Sequence, residues 1–238
     1  MNTAALSSRP QVVHDSADIA GMSLIIKPPQ DPEYLPRFLA FCHRRRYAKN
    51  TEIIRPGDPA DILYYIVEGS VAVLMEDEDG KEIILTYLNK GEFIGEMGLF
   101  TPQSTRTVLV RTRTDCQLAE ITYKRLELLF DGDLRQYTKD ILYALGKQLT
   151  QRLLHTSRKV SGLAFLDVTG RIAHTLEELC QQPDAMTHPD GMQIRITRQE
   201  IGRIVGCSRE MAGRVLKNLE QEGLISVKGK TIVVFGTR

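Results

Sequence analysis

The chain has 238 residues, 42% of them hydrophobic, enough for two modest cores and too apolar for a mainly disordered protein. A net charge of +1 excludes a whole-chain electrostatic attraction to nucleic acid or membrane, so any such footprint has to be local. Cys42, Cys116, Cys180 and Cys207 lie far apart with no C-x-x-C pair, which suits reduced packing thiols and argues against a disulfide frame or a zinc site. No apolar run approaches the roughly 20 residues of a membrane span, and no basic-then-apolar leader opens the chain, so a cytoplasmic protein without membrane contact is expected.

Residues 1–30 mix Ser, Thr, Pro and isolated apolar residues without a period, the texture of a flexible tail. The Pro-bounded segment around Tyr34-Leu35-Pro36-Arg37-Phe38-Leu39 predicts a short helix. Between Arg44 and Tyr123, short β-rich runs alternate with turn residues: Glu52-Ile53-Ile54 precedes Pro56-Gly57-Asp58, and Leu63 to Val67 precedes Glu68-Gly69. Val71 to Met75 and Lys81 to Tyr87 flank the acidic, Gly-ended Glu76-Asp77-Glu78-Asp79-Gly80, a hairpin tip. Evenly spaced short strands imply a barrel or roll.

After Tyr123 the period becomes helical, first with Leu126, Leu129 and Phe130, then with Ile141, Leu142, Leu145, Leu149, Leu153 and Leu154. Leu142, Leu145, Leu149 and Arg152 follow an a/d-like rhythm that predicts pairing of two copies along one seam, hence a homodimer. Gly162 is expected to interrupt this helix, and Asp167 to cap the next, which runs to about Cys180. Pro183, Pro189 and Gly191 mark a loop before a short strand, Gln193 to Ile196.

Thr197-Arg198-Gln199-Glu200 is a capping-box pattern, in which the Thr hydroxyl accepts a backbone N–H while Glu200 reaches back to the cap. The helix it starts stops at Gly206, and a second begins at Ser208, giving a helix-turn-helix. The second helix presents Arg209, Glu210 and Arg214, chemistry suited to a G·C-containing half-site: arginine donates bidentately to guanine and glutamate accepts from cytosine. Thr197, Arg198, Gln199 and Ser208 sit at helix starts suited to phosphates. From Arg198 to Lys217, five basic residues face two acidic ones, and Gly223 to Val227, Lys228-Gly229-Lys230 and Thr231 to Phe235 read as a wing whose basic turn carries Lys230. The expected partner is palindromic double-stranded DNA.

In the β-rich half, Gly91 to Phe100 carries three glycines whose spacing permits a tight turn able to cradle one phosphate. Arg106 can add a bidentate contact, and Glu96 can accept a ribose hydroxyl. No Gly-Lys-Ser/Thr and no βαβ pattern surrounds the run, so it is neither a P-loop nor a Rossmann fingerprint. An enzyme is not expected: His14, His43, His155, His174 and His188 have no metal-type spacing, and no G-x-S-x-G elbow occurs.

From about residue 31 to the end, the chain resembles the CRP/FNR family of transcription regulators, whose type member is the cyclic AMP receptor protein, also called catabolite activator protein. Phe93-Ile94-Gly95-Glu96-Met97-Gly98-Leu99-Phe100, Leu163 to Arg171, Gln182 to Gly191, and Ile196 to Glu210 carry the resemblance. Beyond the tail over 1–30, it implies an α+β fold: a cyclic-nucleotide-binding β-roll over 31–138, a dimerisation helix over 139–162, a hinge over 163–167, and a winged helix-turn-helix over 168–238. It also implies that Gly95, Glu96, Arg106 and Thr107 hold the ribose and cyclic phosphate of cyclic AMP, with Thr156 and Ser157 meeting adenine across the dimer. Base contacts would come from Arg209, Glu210 and Arg214. The Ala185–Gly191 loop would meet RNA polymerase at the C-terminal domain of its α-subunit, and His43, Arg45 and Arg125 would form a second polymerase-contacting patch. Thr107 stands for the usual Ser, Met211 for a Thr, and the stretch from Asp131 to Asp140 is longer than usual. That insert, with His43 to Tyr47 and Arg55 to Pro59, also resembles relatives that answer to cyclic di-GMP.

Overall fold

The computed structural model describes residues 31–101 and 105–237; the segment 1–30, read above as a flexible tail, lies outside the described residues. The β-rich half opens with α1 (Tyr34–Ala40), then β1 (His43–Tyr47), β2 (Glu52–Ile54), β3 (Ile62–Glu68), β4 (Ser70–Glu76), β5 (Glu82–Asn89) and β6 (Phe93–Ile94). The short α2 (Met97–Phe100), β7 (Leu109–Thr112), β8 (Cys116–Thr122) and α3 (Tyr123–Asp131) complete it. The strands form two antiparallel sheets, ordered β1-β8-β3-β6 and β2-β7-β4-β5. Ile66, Val71, Leu88, Val110 and Leu118 close the layer between them. At the β4–β5 tip, Asp77 Oδ1 accepts from the backbone N–H groups of Asp79 (3.1 Å) and Lys81 (2.8 Å), an Asx turn completed by Gly80 at positive φ.

The outer face of the first sheet is covered by helices. Phe38 of α1, Tyr65 of β3 and Phe93 of β6 meet edge to face, with ring centroids 5.0–6.3 Å apart. Leu126 and Leu129 of α3 join them, as do Ile141 and Leu145 of α4 (Thr138–Phe165). At about 1.5 Å per residue, the 28 residues of α4 span about 42 Å. The helix does not end at Gly162. A single glycine costs only about 1 kcal/mol against alanine, and no proline follows to stop the turn, so α4 continues to Phe165 and only Leu166 and Asp167 separate it from the next helix.

The expected pairing seam is also corrected in part. Leu145 is fully buried and Arg152 half-buried against the chain's own roll, along a stripe of Ile141, Leu145, Gln148, Arg152, His155 and Lys159. Leu142, Gly146, Leu149, Leu153, Thr156, Val160 and Leu163 instead follow an unbroken 4-3 spacing, and all but half-buried Leu149 are exposed.

The C-terminal half comprises α5 (Val168–Cys180), β9 (Met186–His188), β10 (Gly191–Arg195), α6 (Arg198–Val205), α7 (Arg209–Gln221), β11 (Ile225–Lys228) and β12 (Thr231–Phe235). Its sheet is ordered β11-β12-β10-β9, so β9 turns part of the expected Pro183–Gly191 loop into a hairpin arm. Each helix starts on a capping side chain: Asp167 accepts from Gly170 N (2.7 Å), Thr197 from Glu200 N (3.1 Å) and Ser208 from Met211 N (3.1 Å). Ile172, Leu176, Ile201, Val205, Leu216 and Ile232 form the core. Residues Glu33–Arg238 make one compact unit, so the roll and the winged helix are packed together.

Leu145 reports on the seating of α4. Leu145→Ala is expected to lower unfolding free energy by about 2–5 kcal/mol, seen as a fall in the urea midpoint at constant m-value.

Candidate ligand turn and nucleic-acid interface

Gly95, between β6 and α2, has φ +84°, and a Cβ on it would sit 2.7 Å from Arg106 Nη1, so both backbone angle and space require glycine. Arg106 is buried. Its guanidinium donates to the carbonyls of Ile62 and Gly95 (3.4 Å) and to the Tyr123 hydroxyl (3.0 Å), tying β3, the turn and α3 together. Tyr123 in turn donates to the Gly95 carbonyl.

Glu96 is 3% exposed, and its carboxylate accepts from Arg152 Nη1 of α4. Arg152 Nη2 donates to the Phe93 carbonyl. One helical turn earlier, Gln148 is bonded twice to the same residue: its Oε1 accepts from Phe93 N, and its Nε2 donates to Phe93 O, both at 2.8 Å. Gln148 thus supplies β6 with the donor and acceptor that a neighbouring strand would. Sequence reading missed Gln148 and Tyr123; the available signal was a pair of polar residues, 148 and 152, continuing the apolar stripe of 141 and 145. Gly95, Glu96 and Arg106 are gathered in one place, whereas Thr107, Thr156 and Ser157 are exposed, the last two about one turn beyond Arg152.

A second concavity lies between the halves of the chain. A cavity of about 580 Å³ is bounded by Ile84–Tyr87 of β5, the C-terminal half of α4, α5 and the end of α6. Its lining includes the basic Arg158, Lys159 and Arg171, with His155 and His174 on either side of Glu178 at 3.7 and 3.6 Å. The His155 contact holds the Glu178 carboxyl below the usual range. Lys159 Nζ donates to the Ile84 carbonyl on the free edge of β5, and burial lowers its pKa.

In the helix-turn-helix, α6 crosses to α7 through Gly206 in the left-handed region. Gly202 permits the tight return, since a Cβ there would lie 2.6 Å from the Cys207 carbonyl. Arg198, Gln199, Ser208, Arg209, Glu210 and Arg214 are exposed and Thr197 is half-buried; Lys230 is exposed in the β11–β12 turn. Glu200 departs from expectation. The Thr197 half of the capping box forms, but the Glu200 carboxylate turns to the roll and accepts from the Tyr87 hydroxyl at 2.6 Å. Across the expected polymerase-facing segment, Met186 is 54% exposed and Thr187, Pro189 and Asp190 are exposed; His43, Arg45 and Arg125 are exposed on β1 and α3. All four thiols are pushed up in pKa by burial, Cys42 to about 12, which makes them poor nucleophiles.

A β-roll with an internally braced glycine turn, a long helix with one exposed apolar seam, and a winged helix-turn-helix together have the architecture of a DNA-binding regulator. Residues 44–133 match the cyclic nucleotide-binding domain, and residues 194–225 match the bacterial regulatory proteins of the crp family. The CRP-like protein Clp of Xanthomonas euvesicatoria pv. vesicatoria (strain 85-10) is 56% identical over 208 residues, covering 87% of this chain and 90% of the relative. The solved structure of CLP from Xanthomonas campestris, described as a c-di-GMP-responsive global regulator, superposes with a TM-score of 0.80 at 56% identity, over 85% of this chain and 98% of that one. A CRP/FNR-family regulator of Thermus thermophilus gives a TM-score of 0.69 at 26% identity, over 81% and 93%. The chain belongs to the CRP family of bacterial transcription regulators. Among the described residues, no helix is long and apolar enough to cross a membrane.

The Glu96–Arg152 pair can be tested directly. Arg152→Met strands a buried carboxylate and is expected to cost about 3–5 kcal/mol of stability, whereas Glu96→Gln combined with Arg152→Met recovers much of the loss in a urea double-mutant cycle.

Proposed function

We propose that this chain is a homodimeric, sequence-specific transcription regulator that binds palindromic DNA without ligand and is released by cyclic di-GMP. The observation that carries the ligand is the c-di-GMP responsiveness of the 56%-identical Xanthomonas campestris CLP. The interdomain cavity supports it chemically, because Arg158, Lys159 and Arg171 offer cations to a cyclic diphosphate, and the site touches α5 and α6 of the DNA-binding half. A ligand there acts on DNA affinity through the packing of that half against β5. The apolar 142–163 stripe pairs two α4 helices, and the two α7 helices then present Arg209, Glu210 and Arg214 to successive major grooves about 34 Å apart. Thr197, Arg198, Gln199, Ser208 and Lys230 hold phosphates.

A second reading has cyclic AMP as an activating ligand at Gly95, Glu96, Arg106 and Thr107, reached by Thr156 and Ser157 of the other protomer. The hydroxyls at 107, 156 and 157 favour it. In that reading Arg106 and Glu96 exchange their present protein partners for phosphate and ribose. Contact of the Ala185–Gly191 segment with the C-terminal domain of the RNA polymerase α-subunit, and of His43, Arg45 and Arg125 with a second polymerase surface, belongs to the same proposal. It is supported by their exposure.

Fluorescence anisotropy with a palindromic TGTGA-type duplex at fixed salt separates the readings. The first expects tight binding without ligand that weakens with cyclic di-GMP; tightening only with cyclic AMP establishes the second. In either case Arg209→Ala is expected to cost about 1–3 kcal/mol and to relax the preference for G·C at one half-site position.

A further inference from the structure

The DNA-binding half is fastened to the roll by side chains that the proposed DNA contacts do not use. On α6, Arg198 and Gln199 are exposed, Ile201 and Val205 enter the core of the winged helix, and Glu200, Arg203 and Ile204 turn half-buried toward β5. Ile204 packs on Ala72, Leu74, Ile84 and Leu109 of the roll, while Tyr87 of β5 packs on the winged-helix core. Polar contacts frame this apolar exchange. Arg203 Nη1 lies 3.0 Å from Glu82 Oε2, and Glu82 is braced from behind by Arg111 at 2.7 Å. The Tyr87 hydroxyl donates to Glu200 at 2.6 Å, and the Arg113 guanidinium stacks 3.7 Å from the Tyr87 ring centroid while reaching Asp184 at 3.1 Å. Asn89 Nδ2 donates to the Gln182 side chain at 3.1 Å.

We propose that Glu200 and Arg203 are positioning residues: with Tyr87 and Glu82 they form a latch that fixes the recognition helix relative to the roll and touches no DNA. The latch leaves Arg198, Gln199, Ser208, Arg209, Glu210 and Arg214 uncovered, so it holds a binding-competent arrangement rather than an occluded one. Two recognition helices held at a fixed separation meet two half-sites without first losing their freedom to swing about Leu166 and Asp167. Releasing them makes DNA bear that ordering cost. Burial and the Glu200 carboxylate raise the Tyr87 pKa, which keeps the phenol a donor throughout the working pH range.

The proposal rests on the DNA-binding reading above, so its test has one arm with DNA and one without. In full-length protein, the double variant Tyr87→Phe/Glu82→Gln keeps the packed shapes. It is expected to weaken duplex binding about tenfold while leaving the slope of log K against log salt unchanged, because no phosphate contact is lost. Glu82→Gln and Arg203→Met are expected to be non-additive. Without DNA, hydrogen exchange in α6 and along β5 is expected to accelerate in the double variant. Unchanged exchange overturns the latch whether or not the duplex binds. Accelerated exchange with unchanged affinity overturns the positioning role, and so does a salt slope reduced by about one in Arg203→Met with no effect of Glu82→Gln, which makes Arg203 a phosphate contact. Accelerated exchange in a protein whose wild type binds no duplex upholds the latch as an interdomain fastening and sinks the DNA-binding reading instead.

Discussion

The architecture depends on how α4 is held to the two-residue strand β6. A strand so short has few ladder bonds of its own, and Gln148 completes its edge from a helix by bonding both polar groups of Phe93. Arg152, one turn on, adds a third bond to Phe93 and neutralises Glu96, which is nearly inaccessible to water. A carboxylate in that position is stable only while its partner is present, so Glu96 and the helix are placed by the same interaction. Because an adjoining side of α4, about a quarter turn around the helix, carries the exposed apolar stripe, the side that holds the β6–Gly95–Glu96 turn and that stripe are neighbouring faces of one helix.

That arrangement explains what the polar groups of the turn are doing. Arg106 and Glu96 each have protein partners, and these make the turn a structural junction among β3, α3 and α4 as well as a candidate for ligand contact. A ligand entering there has to replace charge-assisted hydrogen bonds with equivalent ones of its own. The interdomain cavity sets no such condition at the exposed Arg158, whereas Lys159 is bonded to the Ile84 carbonyl and Arg171 to the Leu166 carbonyl.

Much of the fold was legible because its signals are local. The Asp77–Gly80 tip, the caps at Asp167, Thr197 and Ser208, and the Gly206 stop each depend on a few neighbouring residues whose chemistry has one good solution. The errors arose where a residue serves a distant element. Leu145 and Arg152 fit a seam rhythm as well as a roll-facing stripe, and only the position of the sheet decides between them. Glu200 satisfies the capping-box pattern, yet a half-buried phenol 113 positions away competes for its carboxylate and wins. Gln148 gave no motif because its partner is main chain, which has no residue-specific signature. Gly162 misled for the opposite reason: a local breaker was outweighed by the helix formers around it.

The near-neutral charge of the chain takes on meaning from the same contacts. Arg111, Arg113, Arg152 and Arg203 are engaged by Glu52, Glu82, Glu96, Glu200 or Asp184, so their charge is compensated within the fold. Arg198, Arg209 and Arg214 remain exposed on the helix-turn-helix, with Lys228 and Lys230 on the wing. A small net positive charge coexists with this basic face because the carboxylates that balance it lie outside the helix-turn-helix and the wing, among them the exposed Glu76, Asp77, Glu78 and Asp79 of the β4–β5 tip. The polar network that fixes the orientation of the DNA-binding half also sorts which arginines stay available to phosphate, so that orientation and electrostatic footprint follow from one set of ion pairs.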